Sequence, residues 1–178
     1  MSIPLTNRIM LMIASSPLKN SYSLMKKQSA GILAFRKTRQ VEILLVHPGG
    51  PFYKTKDEGV WSIPKGEYTN EMPLEVAKRE FTEETGNTIK DEVFIELGDA
   101  KLKSGKNIMA WAVCIDFDTS FISSNMFEIE WPPRSGRMES FPEVDKAEWF
   151  SILEARKKIH PGQHVFLDRL EIILKSKF

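Results

Sequence analysis

The sequence predicts an α/β (α+β) domain in which helices pack on a mixed β-sheet. Short apolar runs bounded by polar turns recur along the chain, as strands do. One amphipathic segment at residues 73–86 has the 3.6-residue period of a helix, and two more helical segments close the chain. Strands interleaved with a few helices indicate a mixed sheet covered by helices.

The bulk composition agrees. A chain of 178 residues is of one-domain length, and 42% hydrophobic with 28% charged residues is the balance of a globular protein. A net charge of +1 argues against a protein that coats nucleic acid or membrane surfaces. No apolar run reaches the roughly 20 residues of a membrane span. The single cysteine, Cys114, lies in the apolar run 110–115 and is expected to be a buried structural thiol, in keeping with a reducing, cytoplasmic setting. Near the N-terminus, Arg8 precedes a short apolar run, and no acidic residue occurs before Glu42. That run is too short for a signal peptide and lacks its cleavage pattern. Residues 1–27 are therefore expected to form a weakly structured extension, and 28–178 a single domain.

Taken in order, Ser29–Arg36 and Val41–His47 read as strands joined by the hairpin turn 37–40. Residues 48–59, with glycines, prolines and mixed charge, read as a loop. Val60–Ile63 is expected to be a brief strand closed by Pro64-Lys65-Gly66. Pro73 suits a first helical position, Leu74, Ala77 and Phe81 form the apolar stripe, and Gly86-Asn87 ends the helix. Met72 is a poor N-cap for it. Residues 93–97, 106–116 and 127–131 read as strands, the last followed by the loop 132–137. Trp149-Phe150 opens the final segment, where 151–158 and 161–175 read as helices.

The most informative stretch is 79–86, Arg-Glu-Phe-Thr-Glu-Glu-Thr-Gly. It puts Glu80, Glu83 and Glu84 at i, i+3 and i+4, with Cβ atoms about 5–6 Å apart on one helical strip. Like charges so placed repel, and more strongly when partly buried. A divalent cation is the natural neutraliser, since hard cations take carboxylate oxygens together with substrate phosphates. Glu-Glu pairs on solvated helices are common, but the whole octet is expected by chance only on the order of once in 10⁴ chains of this length. The acidic strip adjoins the apolar one, which places the carboxylates at the rim of the core.

With these residues in view, positions 66–86 resemble the box of the Nudix hydrolase family. Gly66, Glu71, Arg79-Glu80-Phe81, Glu83-Glu84 and Gly86 match it in order. Two departures stand out: one residue fewer than the pattern separates Gly66 from Glu71, and Asn87 replaces the final apolar residue. Pro64-Lys65-Gly66 is similar to the entry found in hydrolases of dinucleoside polyphosphates and related substrates. Glu143, six residues before Trp149, resembles the family's later Glu-x₅-Trp segment, whose Glu often supplies a further metal ligand or base. The likeness spans about residues 28–172. It implies an α/β/α sandwich around a mixed sheet, with the box forming loop–helix–loop.

The implied activity is Mg²⁺- or Mn²⁺-dependent hydrolysis of a pyrophosphate linkage in a nucleoside diphosphate derivative. Dinucleoside polyphosphates come first as substrates, nucleoside triphosphates second and RNA 5′ ends third. A non-catalytic nucleotide-binding or sensing module is the alternative, and retention of every box carboxylate weighs against it. Glu80, Glu83 and Glu84 are the candidate metal ligands. One of these, or Glu143, is the candidate base toward the attacking water. Arg79 is assigned to orienting a glutamate.

Lys65 and Gly66 on the entry loop are candidate substrate contacts, a solvated lysine being the plain alternative for Lys65. Arg134 and Arg137 have forks suited to phosphate, and Trp131 can stack on a base. An exposed proline-rich loop beside a core tryptophan is the competing reading. The three histidines, His47, His160 and His164, lack metal-ligand spacing and are expected to be structural or exposed. Specificity is expected in the loops 48–59 and 132–142.

Overall fold

In the computed structural model, residues 28–90 and 92–176 are described. The N-terminal stretch 1–27, read as an extension, lies outside them. Strands β1 (Gln28–Lys37) and β2 (Val41–Pro48) form the expected hairpin. They are followed by β3 (Lys65–Tyr68), helix α1 (Pro73–Thr85), β4 (Ile95–Lys101) and β5 (Asn107–Cys114). Next come β6 (Met126–Glu130), β7 (Met138–Pro142) and β8 (Val144–Ser151). Helix α2 (Ile152–Lys158), a 3₁₀ turn at Pro161–Gln163 and helix α3 (His164–Ser176) end the order.

The main sheet runs β4-β5-β1-β2-β8, with β3 added to β1. It is mixed: β1 lies parallel to β5, while the other pairings are antiparallel. Strand β1 divides its second edge, pairing with β3 over residues 28–31 and with β2 over 35–37. Period-2 alternation sends its side chains to two cores. Ala30, Ile32 and Ala34 join Val76, Ala77 and Phe81 of α1. Leu33 and Phe35 join Ala155 of α2 and Phe166, Leu167 and Leu170 of α3 on the other face. The α/β/α layering follows from this double burial, and β1 and β5 are the near-continuous apolar strands it demands.

Helix α1 conforms to its sequence. Pro73 opens it, Met72 supplies no side-chain cap, and Gly86 ends it at φ 74°, its N–H bonded to the Thr82 carbonyl. Helix α2 has the cap that α1 lacks, a reciprocal Ser151–Glu154 box.

Four expectations need correction. Cys114 is exposed rather than buried. It is the last residue of β5, paired with Phe35 of β1 on one side, but β4 reaches only to Ile95 opposite Ala112, so its other side has no strand neighbour. Residues 60–63 make only isolated bridges, from Ser62 to Val46 and from Trp61 to Ile159; the strand lies at 65–68 instead. Strand β4 runs from 95 to 101 rather than from 93 to 97, because a bulge at Gly98 (φ 75°) breaks the alternation. The supposed loop 132–142 contains β7, which pairs with β6 in a two-stranded sheet outside the main one. Among the described residues, no helix is long and apolar enough to cross a membrane.

Candidate active site

Helix α1 presents its acidic strip toward the β3 entry loop. The backbone N–H of Lys65 donates to Glu84 Oε2 at 3.2 Å. The carboxyl of Glu80 lies over Gly66, so closely that a β-carbon at residue 66 would stand 1.9 Å from Glu80 Cδ. Lack of a side chain at 66 is therefore a condition for placing Glu80, which the shortened loop before Glu71 leaves intact.

Arg79 reaches three carboxylates: Nη1 to Glu71 Oε2 at 2.9 Å, Nη2 to Glu80 Oε1 at 3.0 Å and Nε to Glu83 Oε1 at 3.7 Å. The guanidinium thus bridges the start of the box to its helix, with more partners than the one glutamate expected from sequence.

Electrostatics single out two of the glutamates. Burial pushes Glu84 up to about 8, opposed by the Lys65 charge and backbone N–H and reinforced by Glu80 and Glu143. Burial also raises Glu80 above the usual carboxylate range, against the Arg79 hydrogen bond and with the charges of Glu83 and Glu143 adding to it. Glu143, at the β7–β8 junction some 60 residues further along the chain, therefore lies near enough for its charge to act on the helical glutamates. Among the described residues no three carboxylate or imidazole groups already converge as a ligand set. The donor chemistry nevertheless suits a hard divalent cation, and two part-buried carboxyls whose charged forms are disfavoured by desolvation are groups that such a charge would stabilise.

The remaining candidates are divided. Arg134 (φ 65°) and Arg137 are exposed in the β6–β7 turn, with no ion pair among the described residues. Trp131 is half-buried, edge-on to Phe52 at 5.3 Å. It lines a cleft of about 550 Å³ with Gly50, Pro51, Lys54, Glu139, Phe141 and Pro142. Lys54, Glu139 and Phe141 were not singled out by sequence reasoning, although they lie in the loops 48–59 and 132–142 where specificity was expected.

The hairpin is seated on a backbone stripped of side chains. A β-carbon at Gly49 would lie 2.0 Å from the Pro142 carbonyl oxygen, and one at Gly50 2.8 Å from Phe127 Cζ. The histidines are structural or exposed, as expected. His47 is buried between Asp145 (2.6 Å) and the Lys56 carbonyl (2.8 Å), while His160 caps the 3₁₀ turn.

Fold and box together define a pyrophosphohydrolase. The chain belongs to the NUDIX family: the NUDIX domain model matches residues 25–170. The fold is shared with solved structures of low sequence identity. An Ap4A hydrolase from C. elegans, solved as a binary complex, is 19% identical with a TM-score of 0.61, covering 83% of this chain and 98% of its own. The NUDIX domain of Shewanella oneidensis NrtR, complexed with ADP ribose, is 13% identical with a TM-score of 0.57, covering 84% and 88%. A mutT/nudix family protein from Listeria innocua is 17% identical with a TM-score of 0.56, covering 85% and 96%. No curated protein sequence matches.

Proposed function

We propose that the chain hydrolyses a pyrophosphate linkage in a nucleoside diphosphate derivative with the aid of Mg²⁺ or Mn²⁺, dinucleoside polyphosphates being the first substrate class. The observation that carries this is the Glu80–Glu84 pair. Two carboxyls at the rim of the core are pushed above the usual range and joined by Glu143 from another element. A folded chain gains no stability from that arrangement; a cation-dependent reaction does need it.

Glu80, Glu83 and Glu84 would hold the cation, which when bound neutralises the phosphate oxygens and acidifies a water. Arg79 locks Glu71, Glu80 and Glu83 in register, and Gly66 leaves room for the Glu80 carboxyl. Glu143 is our assignment for the base that takes the proton of the attacking water. It lies outside the helix, and its charge acts on Glu80 and Glu84. In this reading Lys65 contacts a phosphate, Trp131 stacks on a base, and Arg134 and Arg137 are assigned to the far phosphates.

The test is a panel of dinucleoside polyphosphates, triphosphates, nucleotide sugars and 5′-triphosphate RNA, incubated with Mg²⁺ and with chelator. Metal-dependent cleavage of a dinucleoside polyphosphate supports the reading. Tight nucleotide binding without turnover would instead identify a sensing module.

A further inference from the structure

The cleft between the β6–β7 hairpin and the loop after β2 has a distinctive set of polar groups. In the β6–β7 register, Phe127 opposes Phe141 and Ile129 opposes Glu139, so all four lie on one face of the hairpin, with Trp131 two residues beyond Ile129. That face is apolar except for Glu139, whose carboxylate has no hydrogen bond or ion pair among the described residues. The other acid lining the cleft, Asp145, is taken by His47 at 2.6 Å. Lys54 supplies an ammonium, likewise without an ion pair among the described residues. The cleft thus offers an aromatic wall, one uncommitted carboxylate and one uncommitted cation. At about 550 Å³ it lies within the usual range of small-molecule sites.

A carboxylate only accepts hydrogen bonds, so it selects a base edge that presents donors. Guanine alone carries two adjacent donors, N1–H and the N2 amino group, and both can be taken bidentately. Its O6 and N7 acceptors suit an ammonium. Adenine and cytosine set a lone pair beside their amino group, and uracil flanks its single N–H with two carbonyls. Both arrangements repel a carboxylate.

We propose that this cleft binds the guanine base of the substrate and that Glu139 is the residue that selects it, with Trp131 or Phe141 stacking on the ring. The inference rests on the nucleotide reading above and deepens it. Pro142 lines the cleft and is followed directly by Glu143, whose charge acts on Glu80 and Glu84, so the cleft adjoins the glutamates assigned to the cation.

The decisive experiment is calorimetric titration of the full chain with GMP and AMP, whose phosphates are identical. GMP is expected to bind about tenfold more tightly or better. Glu139→Gln should narrow the ratio to about threefold or less with Tm unchanged, and Trp131→Ala should weaken both ligands alike. Equal affinities, an AMP preference, absence of binding at millimolar ligand, or selectivity that survives Glu139→Gln would each overturn the assignment. Hydrolysis separates the two levels. Metal-dependent cleavage of diguanosine and diadenosine tetraphosphates at equal kcat/KM refutes the guanine site alone. Guanine-selective binding without any cleavage refutes the hydrolase reading and leaves the site standing.

Discussion

The Glu80 carboxyl lies against the Cα of Gly66, where a β-carbon would fall 2.0 and 2.3 Å from its two oxygens. Gly66 does not have a positive φ, so it is space and not backbone conformation that requires glycine there. Gly66→Ala should therefore displace the carboxylate while the fold survives. Since an ångström of misplacement costs about 10²-fold, kcat should fall at least that far with little change in KM. Steady-state kinetics beside a thermal melt check this; full activity would separate Glu80 from the chemistry.

Glu84 joins stability to pH with a definite sign. Its folded value of about 8 lies above the ordinary 4.5, so below 4.5 both states hold the proton and the site is neutral in effect. As pH rises from there to about 8, the unfolded chain ionises freely while the folded one does not, and stability is lost. The metal-free protein should therefore melt at lower temperature at pH 8.5 than at pH 5. Glu84→Gln should flatten that slope and raise Tm at the alkaline end. The same substitution should lower kcat by about 10³-fold or more. A melt series in chelator, with and without the substitution, measures the first effect.

Arg79 touches Glu71, Glu80 and Glu83 with three different nitrogens. A lysine ammonium cannot span that fork. Arg79→Lys should raise the Mn²⁺ concentration needed for half-maximal activity and cut kcat by about tenfold or more. Because the bridges are partly exposed, unfolding free energy should change by less than about 1 kcal/mol. Activity titrated against Mn²⁺, together with urea unfolding, distinguishes positioning from folding.

Phe81 is fully buried under α1 and meets Phe117 edge-on at 5.8 Å. Phe81→Ala should cost about 3–5 kcal/mol by denaturant unfolding. Its neighbours in sequence, Glu80 and Glu83, ride on the same helix, so activity should fall even where the protein remains folded.

Where pattern and backbone hydrogen bonding coincide, the elements were legible. The Leu74–Ala77–Phe81 stripe, the opening Pro73 and the closing Gly86 mark α1 because each acts within a few residues of itself. Strands β1, β2 and β5 were legible for the same reason. Strand β3 was not: Lys-Gly-Glu-Tyr has no apolar alternation, and it is a strand only because residues 28–31 of β1 offer it an edge. Cys114 misled because an apolar run ends where its neighbouring strand does, and no local signal reports that end.

The candidate site divides along the same line. Spacing on a single helix put three carboxylates on one strip, since 3.6 residues per turn is a property of the backbone itself. Tertiary structure decided that Glu143 comes near enough for its charge to act on Glu80 and Glu84, that Glu80 rests on Gly66, and that a hairpin seated on Gly49 and Gly50 walls a cleft whose Pro142 adjoins Glu143. Those meetings join segments tens of residues apart, and their positions depend on how two cores pack on either side of one sheet, which no local period encodes.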